Sequence, residues 1–138
     1  MAIDAKREPK KQLTVLVTDD SESIRVSLCG LLARIGGVKV VGTASNGVEG
    51  LEMIRKLKPD VVTLDIRMPE MNGIKVLEAI KRDELKVTPI MLSGVGEDQY
   101  RDKCLSLGAA HFFDKASEFE LLLQVLSQKV AELEGRQG

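Results

Sequence analysis

The chain is predicted to fold as a three-layer α/β domain, a doubly wound parallel sheet with helices on both faces. Two observations predict it. Short, nearly continuous apolar and β-branched runs alternate five times with stretches whose apolar residues fall at helical spacing. Continuous apolar runs suit strands covered on both sides, as a parallel sheet with right-handed crossovers requires. The 138 residues are one domain's worth, and the five strand-helix units leave no sequence for a second.

Each element has its own signal. Leu13 to Thr18 is the first apolar run. Ile24, Leu28, Leu31, Leu32 and Ile35 then mark a helix that should stop at the Gly36-Gly37 pair. Val38 to Thr43 reads as the second strand, and Val48, Leu51, Ile54 and Leu57 as a helix ended by Pro59. Val61 to Leu64 is a third, buried strand, followed by a helix over Gly73 to Lys81 that uses Val76, Leu77 and Ile80. Pro89 to Leu92 is the fourth strand, with a weaker helix from about Asp98 to Leu107 that Gly108 stops. Ala110 to Phe113 makes a short fifth strand, and Phe119, Leu122, Leu123, Leu126, Val130 and Leu133 mark the last helix. Residues 1–12 are polar and aperiodic, a flexible basic leader carrying Lys6, Arg7, Lys10 and Lys11; the domain spans 13–134, and 135–138 are a tail.

Composition narrows the function. With 43% hydrophobic and 30% charged residues the chain is an ordinary globular one, not fibrous, disordered or a disulfide scaffold. A net charge of -1 speaks against direct nucleic-acid binding. No apolar run approaches the roughly 20 residues that span a bilayer, and the first residues hold no signal core, so no membrane insertion and a cytoplasmic location are expected. Cys29 and Cys104 sit within apolar patterns and are expected to be buried free thiols.

In sheets of this kind chemistry gathers in the loops leaving the C-terminal strand ends. Asp19 and Asp20 follow the first strand, Asp65 the third, Ser93 and Gly94 the fourth, and Lys115 the fifth. An aspartate after a strand is often only a helix cap, and Asp20 or Ser21 could cap the first helix. Capping does not account for all of these groups at one edge. Three clustered carboxylates raise one another's pKa unless a cation neutralises them. Oxygen ligands with room for water favour Mg²⁺ over Ca²⁺, and one histidine with two separated cysteines makes a poor zinc site. A hard cation, a lysine and a hydroxyl together suit a phosphoryl group. No GxxxxGK[ST] or GxGxxG loop is present to hold a nucleotide, so the phosphoryl group would end on a carboxylate of the protein.

The motifs VTDDS (17–21), LDIRMPEMNG (64–73), LSG (92–94) and FFDK (112–115) together resemble the receiver domains of two-component response regulators, over about Leu13 to Leu133. The resemblance implies a flavodoxin-like sheet of strand order 2-1-3-4-5. It makes Asp65 the phosphoacceptor. Asp20 is then a direct metal ligand and Asp19 an acid assisting through water, with the Arg67 backbone carbonyl as a further Mg²⁺ ligand. Ser93 and Lys115 would meet the phosphoryl oxygens, and Ser93 with Phe112 would form a switch in which the ring rotates into space the hydroxyl vacates. The partners implied are a histidine kinase or histidine phosphotransfer protein and a downstream protein effector that reads the fourth helix, fifth strand and fifth helix, with a homodimer through that face left open. The domain would be a regulatory phosphoacceptor, not an enzyme on other substrates.

Two departures stand out. Ala116 replaces the proline that usually follows the family's lysine, which puts the geometry of that loop in question. Arg67 and Val95 flank the path of the hydrolytic water, and Arg67 is expected to influence dephosphorylation. His111 suggests no catalytic or metal role. A stand-alone receiver is the first expectation; the alternatives are the regulatory receiver of a longer protein, either a chemotaxis protein-glutamate methylesterase, which VVGTASNGVEGL and TPIMLSG resemble, or a DNA-binding regulator.

Overall fold

A computed structural model describes residues 12–137. Five strands, β1 (Leu13–Thr18), β2 (Val38–Ala44), β3 (Val61–Asp65), β4 (Thr88–Ser93) and β5 (His111–Asp114), alternate with five α-helices. These are α1 (Glu22–Leu32), α2 (Gly47–Leu57), α3 (Gly73–Arg82), α4 (Arg101–Ser106) and α5 (Phe119–Gln137). The strands form one sheet in the order β2-β1-β3-β4-β5, and every neighbouring pair is parallel. The predicted fold class and strand order are those observed.

Alternate residues of each strand feed two cores. Val15 and Val17, Val61, Ile90 and Leu92, and Phe113 point to one face, where Leu28 and Leu32 of α1 and Leu122, Leu126 and Val130 of α5 cover them. Leu16, Val62 and Leu64, Met91 and Phe112 point to the other, under Ile54 of α2, Val76, Leu77 and Ile80 of α3 and Cys104 of α4. This two-sided burial is why the central strands read as continuous apolar runs. It also separates the cysteines. Cys104 is buried in one core and Cys29 packs partly buried against the other, so the sheet lies between two free thiols.

Several boundaries differ from the sequence reading. Helix α1 ends at Leu32 rather than at the glycine pair, because the N–H groups of Arg34 and Ile35 bond three residues back, to Leu31 and Leu32, and tighten the chain into turns. The fourth helical segment opens as a short 3₁₀ turn, Asp98–Tyr100, before α4. Helix α5 continues through Gln137, so the expected tail at 135–138 is helical as far as it is described. Of the expected leader, residues 1–11 lie outside the described residues.

Candidate functional site

Every strand that was expected to supply the site ends at the same edge of the sheet. Asp65 closes β3, which pairs with β1 on one side and β4 on the other. Asp19 and Asp20 follow β1, Ser93 closes β4, and Lys115 follows β5. Sheet pairing thus brings β1 and β3 side by side, and Asp19, Asp20 and Asp65 each place a carboxylate oxygen within 4.8 Å of the others. Asp19 and Asp65 are buried, at 2% and 4% exposure, while Asp20 faces solvent.

Local bonding holds these side chains. Asp19 accepts the Ser21 N–H at 2.9 Å, and its own carbonyl takes a bond from Arg25 at 2.8 Å. The capping residue is Ser21, whose hydroxyl accepts the Ile24 N–H. On the α3 side Asn72 caps the helix, and Gly73 lies so close to β3 that a Cβ there would stand 2.1 Å from the Asp65 carbonyl oxygen. Only glycine fits that approach.

Lys115 spans the cluster. Its ammonium lies 2.8 Å from Asp19 Oδ2 and 3.2 Å from Asp65 Oδ1. One cation against three carboxylates is insufficient. Burial, then the charge of Asp19, push Asp65 up to about 7 against the opposing pull of Lys115. Burial alone would lower Lys115, but its hydrogen bond to Asp19 and the charge of Asp65 outweigh it and raise the ammonium above its ordinary value. A hard divalent cation fits this donor set, since three clustered carboxylate oxygens with one exposed side open to water are what Mg²⁺ accepts.

The remaining expected residues divide. Ser93, at 1% exposure, donates its hydroxyl to the Phe113 carbonyl at 3.3 Å, bonded away from the carboxylates. Phe112 is buried, at 2% exposure. Arg101 holds it there: its guanidinium lies 4.9 Å from the ring centroid and donates to the Phe112 carbonyl at 3.1 Å. Val95 points to solvent at 93% exposure. His111 stacks on Phe113 with centroids 5.2 Å apart, and burial holds its pKa down.

The loop after Lys115 is ordered without proline. The N–H groups of Ala116 and Ser117 donate to Asp114 Oδ1 at 2.7 and 3.1 Å, and Glu118 returns a bond to the Asp114 N–H at 2.8 Å. Ala116 contributes a donor that a proline lacks. Sequence reasoning missed Arg101 and, more notably, Glu97. Glu97 is 3% exposed, accepts the Gly94 N–H, and pairs with Arg67 at 3.2 Å. A glutamate among glycines in SGVGED reads as a solvated loop. Gly96, at φ 79°, folds the loop back and turns the carboxylate inward.

Comparison with known proteins agrees with this geometry. The family model described as "Response regulator receiver domain" matches residues 15–127. A protein-glutamate methylesterase/protein-glutamine glutaminase of Clostridium acetobutylicum is 40% identical over 114 residues, which are 80% of this chain and 33% of that protein. The chain therefore spans about a third of the length of that relative. The response regulator domain of Thermotoga maritima CheB superposes with a TM-score of 0.76 at 33% identity, covering 89% of this chain and 96% of that one. A chain of the CheX-CheY-BeF3-Mg²⁺ complex from Borrelia burgdorferi superposes at 0.73 with 32% identity, covering 85% and 89%. The sheet order, the carboxylate cluster with its lysine and the family match together place this chain in the response regulator receiver domain family.

Proposed function

We propose that this receiver accepts a phosphoryl group on Asp65 from a phosphohistidine of a histidine kinase or histidine phosphotransfer protein, and signals to a protein effector through the α4-β5-α5 face. The observation that carries the reading is the convergence of Asp19, Asp20 and Asp65 within 4.8 Å with Lys115 bridging two of them. Lys115 offsets only part of the cost of burying Asp19 and Asp65 together, and a bound cation would repay the rest.

Asp19, Asp20, Asp65 and the Arg67 backbone carbonyl would hold Mg²⁺, which supplies positive charge for the transferring oxygens. That a homologous complex carries BeF3 and Mg²⁺ together supports this donor set. An Asp65 oxygen attacks phosphorus, the O–P bond forms, and the N–P bond breaks with its electron pair leaving on the donor imidazole. Lys115 stays paired with the charge that accumulates on the phosphoryl oxygens. Ser93 turns its hydroxyl from the Phe113 carbonyl to the new group, and β5 loses that bond. The departing hydroxyl opens space into which the Phe112 ring rotates, and the Arg101 contacts to its ring and carbonyl rearrange with it. This shifts the population of α4-β5-α5 arrangements.

The domain is regulatory, and the only chemistry assigned to it is its own phosphorylation and dephosphorylation. A second reading, the regulatory receiver of a longer methylesterase, is favoured by the 40% identity to that relative over 114 residues. A protein with acetyl phosphate and Mg²⁺ should gain one phosphoryl group by intact mass, and Asp65→Ala should gain none. Equal labelling of Asp65→Ala refutes the assignment.

A further inference from the structure

We infer that Glu97 is a built-in competitor for the phosphoryl group, a carboxylate that occupies in the resting protein the backbone donor that a phosphorylated Asp65 requires. The inference rests on the phosphoacceptor reading of Asp65 and extends it to a residue outside the family motifs. The Ser93 carbonyl accepts the Lys115 N–H at 2.9 Å and so points toward β5. In a trans peptide the C=O and N–H of one plane point oppositely, so the Gly94 N–H points toward β3. There Asp65 ends, one position below Ser93 in the β3–β4 register. The Gly94 amide is thus a donor aimed at the side where a phosphoryl group on Asp65 would stand.

That donor is taken. Glu97 Oε1 accepts the Gly94 N–H, and Glu97 Oε2 lies 3.2 Å from Arg67 Nε, in the loop leaving β3. The pair ties the β3–α3 loop to the β4–α4 loop. A Cβ placed on Gly94 would lie 3.5 Å from Glu97 Oε1 and 3.9 Å from Lys115 Cε, so the glutamate and the bridging lysine both border Gly94. At 3% exposure Glu97 is as buried as Asp19 and Asp65, though its neighbours Val95, Gly96 and Asp98 are exposed. Its bonds to a backbone N–H and a guanidinium are those an anionic phosphoryl oxygen would also seek.

Phosphorylation replaces the single negative charge of Asp65 by about two. The added charge repels Glu97 and competes for Gly94 and Arg67. Expelling Glu97 swings out the 97–100 segment and with it the start of α4, coupling the local charge to the output face. Glu97 is therefore a positioning residue that sets the threshold of the switch. Removing it exposes the amide and frees Arg67.

The test is equilibrium binding of beryllofluoride with Mg²⁺, followed through the Gly94 amide by nuclear magnetic resonance, in the wild type, Glu97→Gln and Glu97→Ala. Glu97→Ala should bind about tenfold more tightly, the worth of one charge-assisted hydrogen bond, with Glu97→Gln between. In metal-free protein the Gly94 amide should exchange faster in Glu97→Ala, and saturating beryllofluoride should move the wild-type Gly94 and Glu97 signals together. Equal or weaker binding by both variants overturns the competitor role. A wild type that takes up neither beryllofluoride nor acetyl phosphate refutes the phosphoacceptor reading itself, and this inference falls with it.

Discussion

In the proposed role Asp65 attacks as an anion, yet it is buried, and burial opposes ionisation. Its carboxyl is pushed up to about 7 from 3.8, first by burial and then by Asp19. The folded protein without a divalent ion therefore binds a proton that the unfolded chain releases near 3.8. Stability from this group is fully present below that value and is lost as pH rises through about 7. In EDTA, the stability of the wild type relative to Asp65→Asn should fall between about pH 4 and 7, and Mg²⁺ should restore it; urea midpoints measure both. A difference that rises across that window would contradict the stated electrostatics. Residue identity made Asp19, Asp20, Asp65, Ser93 and Lys115 legible as candidates, because chemistry-bearing types after apolar runs are visible in one dimension. Glu97 was not legible, since its inward turn depends on a backbone reversal at Gly96.

At the scale of elements, the site is held by how closely α3 and its loop approach β3. Gly73 begins α3 directly over the Asp65 carbonyl, and its N–H bonds the Ile66 carbonyl at 2.8 Å. Gly47 begins α2 in the same way, where a Cβ would stand 2.0 Å from the Met71 carbonyl oxygen. Gly73→Ala should cost about 2 kcal/mol or more by forcing α3 off the strand, and should slow uptake from acetyl phosphate because Asp65 moves with its backbone. Chemical denaturation and intact mass read the two effects, and unchanged values for both would show that the loop accommodates the methyl. Element type and order were readable because two-sided burial and helical spacing leave distinct patterns. Element ends were less so: the end of α1 and the 3₁₀ opening of α4 are fixed by hydrogen bonds three residues apart, which leave no apolar signature.

For the molecule as a whole, the sheet divides the interior into two cores that share no side chain. Cys29 and Cys104 fall on opposite sides, and burial raises both thiols. Oxidation should therefore leave no intrachain disulfide on a non-reducing gel, and a maleimide should modify Cys29 in the native state but Cys104 only after unfolding. Rapid native labelling of Cys104 would contradict the packing of α4 against the sheet. No described helix is long and apolar enough to cross a membrane. The sequence by itself determined the fold class, the strand order through its family motifs, and the set of groups at the C-terminal strand ends, because hydrophobic period and strand-terminal chemistry are local properties. Only the tertiary structure decided which of those groups share charge, that Phe112 is buried beneath Arg101, and that Glu97 turns inward to Gly94 and Arg67. Those facts arise where strands and loops distant in sequence meet, and the energy of a buried charge depends on what else the fold brings beside it.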